Sequence, residues 1–340
     1  MESNVSTLLG LPAREAPLRS TYMKDLEKCP RLFLLQDRVG IHRVGYDRAL
    51  DFGTLVHRFL QSMFLGRGEA VAKQDCQMLY DQTCDRLKEV STGGLLPGGA
   101  SMKDTLQEAD TNLWKAIAAG LLFWELNPFP ADQYQVVEGP NGPMVECLVE
   151  GGAVDLVLVN RAKETWIVDH KTTSIQPTIR ASALTISPQF QLYKRGVESY
   201  LSRPVTGVIC NIIRTPSIKY CPDSKDKDEK FPGYLKRLRK WYETDDGGGP
   251  QMLQVFHRFG NDPLTEQEID HKIGNYKLAS ALEPSLPLFP RAGDYTCHEF
   301  NRSCPLLPFC TSDPATWRAR LQQPGWEIRH REDEETTDGR

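Results

Sequence analysis

The sequence is poor in the features that usually sort a chain at first sight. Its apolar runs fall well short of the roughly 20 residues that span a bilayer, so no membrane-crossing helix is expected. Met1 to Ala16 has neither the charged start nor the apolar stretch of a secretory signal. No internal repeat is found, so a repeat architecture is not expected either. A strong charge bias is also missing: 41 Lys and Arg face 45 Asp and Glu, a net charge of −4. That balance announces no nucleic-acid partner, although a cleft can gather positive charge on an otherwise acidic surface. The expectation is a soluble protein of the cytoplasm, or of a host cytoplasm if viral, with no membrane partner.

What the chain does have is an ordinary globular composition, 40% hydrophobic and 25% charged over 340 residues, enough for one large domain or two modest ones. It also has nine cysteines, many for a compartment in which disulfides do not persist. Cys297, Cys304 and Cys310 fall within 14 residues, and Cys29 stands alone near the other end. Cys76, Cys84, Cys147, Cys210 and Cys221 have no ligand-like spacing and read as small buried hydrophobes. The acidic run Glu332-Asp333-Glu334-Glu335 belongs to a tail expected to be disordered.

Along the chain, Ser20 or Thr21 is placed to cap a helix starting near Tyr22, and Pro30 marks a break and restart. Phe52, Leu55, Val56, Phe59, Leu60 and Met63 recur at helical spacing over Asp51–Phe64. A Gly/Pro-rich stretch, Thr92–Ala100, separates one helical segment from a longer helix between about Asp104 and Leu126. After Pro130 the segments Gln133–Val137, Met144–Glu150, Ala153–Val159 and Thr165–Lys171 are short and β-branched, with Asn160–Glu164 as a hairpin loop. Ser187 and Pro188 open a helix over Gln189–Leu201, and Val205–Ile213 reads as a buried strand. Residues 216–250 form a charged insertion, and another helix is predicted over Gln267–Leu282. This order points to an α/β core wrapped by helices.

The most informative stretch is Glu150-Gly-Gly-Ala-Val-Asp155 followed by Trp166-Ile-Val-Asp169-His-Lys171. Residues two apart on a strand share a face, so Asp169 and Lys171 point together while Trp166, Val168 and His170 point the other way. Asp155 on the neighbouring strand reaches the same edge. Ionised groups at such a place need mutual pairing or a metal. Two aspartates offer hard oxygen ligands to Mg²⁺ or Mn²⁺, and a lysine beside them can orient an attacking water. A surface hairpin with an Asp–Lys pair is the plain alternative, and the context decides between them.

That context is a series of four elements in order: Gly53-Thr-Leu-Val-His57, Gly152-Ala-Val-Asp155, Asp169-His-Lys171 and Gln189-Phe-Gln-Leu-Tyr193. The series resembles the RecB-like branch of the PD-(D/E)XK nuclease superfamily, which includes CRISPR-associated adaptation exonucleases and the nuclease domain of AddB. The resemblance implies a restriction-endonuclease-like mixed central sheet flanked by helices, with a helical N-terminal region and a C-terminal cysteine clasp. It implies a metal-dependent DNA exonuclease acting on single-stranded or frayed ends. His57 would join Asp155 and Asp169 as metal ligands, and Gln189 and Tyr193 would support the substrate or Lys171. Gly53, one turn before His57, would leave space above the backbone for an ion or phosphate. Cys29-Pro-Arg31 also resembles the family's opening helix. In the iron–sulfur members the matching four, here Cys29, Cys297, Cys304 and Cys310, hold a [4Fe–4S] cluster. The spacing Cys297-x6-Cys304 departs from the more usual two-residue gap, and four thiolates also suit a structural Zn²⁺.

Tyr234-Leu-Lys236-Arg237-Leu-Arg239-Lys240-Trp241-Tyr242 mixes cations that could meet phosphates with rings that could stack on unpaired bases. Its plain alternative is an amphipathic helix with Leu235, Leu238 and Tyr242 inward. Arg31 is a further phosphate-contact candidate by position. The expected segments are a flexible 1–19, a helical region 20–130, a nuclease core 131–215, the charged insertion and helix 216–290, a cysteine segment 291–312 and an acidic tail 313–340. Two other functions fit part of the pattern: a non-catalytic DNA-binding or assembly subunit, and a zinc-stabilised interaction protein. The chain carries no helicase motor, so unwinding in repair or recombination would need a helicase or recombination partner.

Overall fold

The computed structural model describes residues 4–9, 11, 16–92, 94–96, 99–127, 129, 133–184, 187–220, 231–244, 250–260, 263–293, 297, 304–323 and 325–329. The acidic run at 332–335, Cys221 and the middle of the charged insertion lie outside the described residues, as does much of the N-terminal stretch expected to be flexible. The chain forms two compact units, one from Met1–Gly45, Glu150–Gly152 and Asn261–Asp338, the other from Tyr46–Val149, Ala153–Gly260 and Gly339–Arg340. Among the described residues no helix is long and apolar enough to cross a membrane.

In the first unit, α1 (Val5–Leu9), α2 (Ser20–Lys28) and α3 (Pro30–Leu32) lead into a π-helical segment, Phe33–Arg38. The expected cap from Ser20 or Thr21 is not used. Ser20 is the first helical residue, and its backbone N–H donates to the Gly151 carbonyl at 3.1 Å. Pro30 restarts the helix at its first turn, where a missing N–H leaves no bond unmade. The π segment adds a residue to the turn, so Phe33, Leu34 and Leu35 are all buried in succession. Phe33 packs edge-on against Tyr276 of α10 (Pro263–Ala281), with centroids 5.6 Å apart. Strand β1 (Ile41–Arg43) pairs antiparallel with β10 (Trp326–Ile328), and Trp326 meets Phe309 edge-on at 4.7 Å.

The second unit begins with three helices: α4 (Arg48–Phe64), α5 (Glu69–Val90) and α6 (Met102–Leu126). Asp47 caps α4, its carboxylate accepting from the Ala49 and Leu50 N–H groups at 2.9 and 3.1 Å. Phe52, Leu55, Val56, Phe59 and Leu60 bury the predicted stripe against Leu113, Ile117 and Leu121 of α6. A six-stranded sheet follows, built from β2 (Tyr134–Val136), β5 (Val145–Val149), β6 (Gly152–Asn160), β7 (Thr165–Thr173), β8 (Gly207–Arg214) and β9 (Met252–Arg258). A small hairpin of β3 (Glu138–Gly139) and β4 (Gly142–Pro143) lies between β2 and β5 in the chain.

The strand order is β2-β6-β7-β8-β9, with β5 also on β6; β7 and β8 are parallel, while β6–β7 and β8–β9 are antiparallel. The parallel pair requires a crossover, which α7 (Pro177–Leu184) and α8 (Pro188–Leu201) supply. One sheet face, carrying Val157, Ile167 and Ile212, packs on Phe190, Tyr193 and Val197 of α8. The other, carrying Leu156, Val168 and Ile209, packs on Phe64 of α4. This is the restriction-endonuclease-like arrangement, a mixed central sheet flanked by helices. Strand β9 was not predicted: it follows directly on the charged insertion, and Gln254, His257 and Arg258 interrupt its apolar residues. Helix α9 (Phe231–Glu243) arises from that insertion.

Candidate active site

The β6–β7 register runs from Val159 opposite Thr165 to Leu156 opposite Val168, one residue short of Asp155 and Asp169. Pairing ends where the two carboxylates stand. Both are buried, and the backbone N–H of His170 donates to Asp155 Oδ2 at 2.5 Å. Asp169 Oδ1 accepts from Lys171 Nζ at 2.9 Å, as expected for residues sharing a strand face. Trp166, Val168 and His170 do point the other way, toward α4 and α6.

His57 reaches the same place from α4, with Nδ1 3.5 Å from Asp155 Oδ1 and 3.6 Å from Glu146 Oε1. Glu146 is the residue that sequence reasoning missed. It lies on β5 and has φ +49°, a left-handed conformation uncommon for a residue other than glycine. One ligand atom each from His57, Glu146 and Asp155 lie within 4.8 Å of one another. Asp169 is outside that trio and is engaged with Lys171. The expectation for Gly53 is corrected: the space above it is taken. A Cβ there would stand 2.9 Å from the Thr172 hydroxyl of β7, so glycine is what lets α4 approach the sheet closely enough to deliver His57.

Burial opposes the charged form of every group here, and the neighbours decide the outcome. For His57 burial lowers the pKa, yet Asp155 and Glu146 hold it well above the ordinary histidine value. Asp155 stays below the usual carboxylate range against its burial, chiefly through His57. Glu146 is pushed up by burial and by the Asp155 charge. Asp169 is pushed up by burial, with Lys171 working against the rise. Lys171 lies above its ordinary value because Asp169 outweighs desolvation, so it is a cation. His170 is kept neutral by burial, its pKa pushed down to about 3.

Gln189 and Tyr193 share a buried face of α8, and Gln189 Nε2 donates to the Tyr193 hydroxyl at 2.7 Å. Tyr193 adjoins the Asp169–Lys171 pair, each affecting the other's charge. On β8, the Cys210 thiol lies 3.9 Å from Asp169 Oδ2. Of the residues in α9, Tyr234, Leu238 and Tyr242 are buried, while Lys236, Arg237 and Lys240 face solvent. Tyr234 takes the inward place expected of Leu235, which is only partly buried. Arg239 pairs with Glu125, and Trp241 packs against Tyr242 and beneath Arg214.

In the first unit, Cys29 and Cys310 are buried and Cys297 and Cys304 partly so. The Cys304 N–H donates to the Cys297 carbonyl at 2.7 Å. Burial raises the Cys304 and Cys310 thiols first; Cys29 adds to both, and Cys297 adds to Cys304. Among the described residues, no three cysteines bring their sulfurs within 4.8 Å of one another. Arg31 is buried and donates to the carbonyls of Phe289 at 2.7 Å and Leu286 at 2.9 Å. Its fork ties α3 to the 286–289 segment, and the phosphate-contact role is not carried forward. The scattered Cys76, Cys84 and Cys210 are buried as expected, whereas Cys147 is only half-buried.

Comparison with curated proteins finds no match. The model of the PD-(D/E)XK nuclease superfamily matches residues 21–311, and the chain belongs to that superfamily.

Proposed function

We propose that this PD-(D/E)XK nuclease is a metal-dependent DNA exonuclease that hydrolyses phosphodiester bonds at single-stranded or frayed ends. The observation that carries the reading is the convergence of His57, Glu146 and Asp155 beside the Asp169–Lys171 pair. Two carboxylates and one imidazole suit Mg²⁺ or Mn²⁺, with Asp169 as a further oxygen donor from the next strand. Such an ion would polarise the scissile phosphate and offset charge developing on it. Lys171, held as a cation by Asp169, orients the attacking water and stabilises the negative charge it develops during in-line attack. Gln189 and Tyr193 fix the Lys171 side of the pocket. The solvent-facing Lys236, Arg237 and Lys240 of α9, with Arg239 and Trp241, serve as a contact surface for the DNA strand.

The four cysteines hold a [4Fe–4S] cluster that clasps the first unit. Four thiolates would also suit a structural Zn²⁺, which is the alternative occupant. The working setting is the cytoplasm, with a helicase or recombination partner supplying unwound ends.

The test is degradation of end-labelled single-stranded and duplex DNA with Mn²⁺ or Mg²⁺, comparing anaerobically purified protein with Lys171→Ala. Metal-dependent release of short products that disappears in the variant is expected. Iron with acid-labile sulfide is expected in the same preparation, and zinc in its place would remove the cluster. No cleavage by the intact, metal-replete protein would leave a DNA-binding subunit as the better reading.

A further inference from the structure

The face of the sheet opposite the Asp169–Lys171 pair is apolar along most of its width, and one row breaks the pattern. His170 on β7 is in register with Asn211 on β8, and Asn211 is in register with Gln254 on β9. The three polar side chains therefore lie side by side across three strands. Asn211 is fully buried and His170 is 2% exposed. Gln254 Nε2 donates to Asn211 Oδ1 at 2.9 Å, and Asn211 Nδ2 lies 3.2 Å from His170 Nδ1.

The direction of the row follows from its chemistry. With Asn211 Oδ1 already accepting from Gln254, the amide nitrogen is what faces His170. An amide nitrogen only donates, so His170 Nδ1 accepts, and the neutral ring carries its proton on Nε2. That Nε2 is buried with no hydrogen-bond partner among the described residues. Phe64 stacks on the ring at 5.7 Å, Phe123 meets it edge-on at 5.8 Å, and His57 stands at 83° to it with centroids 5.8 Å apart. Of these neighbours only His57 is polar, and it belongs to the ligand trio. Three apolar residues would fill this row without burying amide and imidazole groups, so its polarity calls for a use.

We propose that the Gln254–Asn211–His170 row is a positioning device that locks the His57 ring with Nδ1 toward Asp155 and Glu146. The inference rests on the metal-dependent reading above. A histidine ring turns about a broad, roughly two-fold torsion, so an unpacked His57 would lose its aim. His170, fixed in tautomer and tilt by Asn211, supplies the wall against that rotation. The same residue's backbone N–H holds Asp155 Oδ2, so one position on β7 orders two members of the trio. His170 is a positioning residue that touches a ligand and has no contact with reacting atoms.

The experiment titrates Mn²⁺ binding by electron paramagnetic resonance in the full chain, alongside its thermal transition and the Mn²⁺ dependence of cleavage. His170→Phe keeps the ring shape and removes the polar row; Gln254→Leu cuts the row at its far end. Outer partners of metal ligands typically matter by about 10- to 100-fold in affinity. His170→Phe is expected to weaken Mn²⁺ binding by that order, with cleavage recovering at high Mn²⁺. Gln254→Leu is expected to weaken binding several-fold with its melting temperature unchanged, and it carries the test if His170→Phe does not fold. Wild-type Mn²⁺ affinity in the folded variants overturns the proposal, and so does affinity lost only in step with thermal stability. A wild-type protein that binds no Mn²⁺ overturns both this inference and the nuclease reading, whereas binding unchanged by the variants overturns this one alone.

Discussion

Gly53→Ala isolates the contact that sets the distance between α4 and the sheet. The added Cβ would lie 2.9 Å from the Thr172 hydroxyl, closer than such atoms approach. Thr172 is β-branched and stiff at χ1, so it yields poorly. Against this, alanine in a helix interior is worth about 1 kcal/mol over glycine. Overpacking of this kind costs about 1–3 kcal/mol, so the net loss lies between about 0 and 2 kcal/mol. At about 2–4 °C per kcal/mol, the melting temperature should fall by no more than about 8 °C. Activity should suffer far more, because α4 carries His57 one turn beyond Gly53 and Thr172 follows Lys171 directly. A catalytic group must sit within about 0.5 Å of its productive position, and a shift of about 1 Å can cost roughly 100-fold. Cleavage of end-labelled DNA at saturating Mn²⁺ should drop about 10- to 100-fold in Gly53→Ala. Adding Thr172→Ala, which removes the opposing hydroxyl, should restore most of it. If Gly53→Ala gains the full helix-propensity increment and keeps wild-type cleavage, the close approach does not govern the site and the reasoning fails.

Glu146→Gln keeps the side chain's reach and removes its charge; isothermal titration should find Mn²⁺ binding weakened about tenfold, by the range seen around metal ligands. Unchanged affinity would take Glu146 out of the ligand set. For pH, His57 has its folded pKa raised, so its contribution to stability is complete below the unfolded value of about 6.5 and is lost as pH rises through the folded value. Glu146, also raised, acts with the same sign from lower pH upward. The metal-free protein in chelator should therefore melt at lower temperature as pH climbs above about 6.5, and a rise there would contradict the assignment. Replacing Lys236, Arg237 and Lys240 together by alanine should reduce the slope of log affinity for single-stranded DNA against log salt by about 2, measured by fluorescence anisotropy. An unchanged slope would move the DNA path away from α9.

The fold could be read from the chain to the extent that periodicity reports burial. Phe52, Leu55, Val56, Phe59 and Leu60 of α4 sit where a 3.6-residue repeat puts them. The alternation Trp166–Lys171 predicted which side chains would meet. Two elements were illegible for different reasons. Among the described residues strand β9 has one strand neighbour, and its apolar pairs Met252-Leu253 and Val255-Phe256 do not alternate with polar residues, so it lacks a period-2 signal. The π segment Phe33–Arg38 opens on the apolar run Phe33-Leu-Leu35, and no short-range pattern marks the extra residue in its turn. In the site, ordered motifs brought out His57, Asp155, Asp169 and Lys171. Glu146 stayed hidden because Val145-Glu-Cys-Leu-Val149 reads as an ordinary half-buried strand. Its carboxylate joins the trio from a left-handed backbone conformation that no periodicity announces. Arg31 failed the other way: it stands beside a motif cysteine, yet the Phe289 and Leu286 carbonyls that absorb its guanidinium lie more than 250 residues distant in the chain.

The charges of the site give the strongest argument that it is built for a cation. Glu146, Asp155 and Asp169 bring three carboxylates into a buried space where Lys171 is paired with only one of them. The crowding raises the pKa of His57, through Asp155 and Glu146 against its burial, and that of Glu146, through burial and the Asp155 charge. His57 Nδ1 is aimed at both carboxylates and is the atom from which a metal would be held. Such an arrangement is unfavourable for folding alone, since apolar residues of like volume would avoid the desolvation of five ionisable groups. His57, Glu146 and Asp155 would hold a divalent ion, whose binding free energy would add to that of the fold. A purely structural role for these residues would account for the Asp169–Lys171 pair, but not for a histidine and two acids whose ligand atoms lie within 4.8 Å of one another.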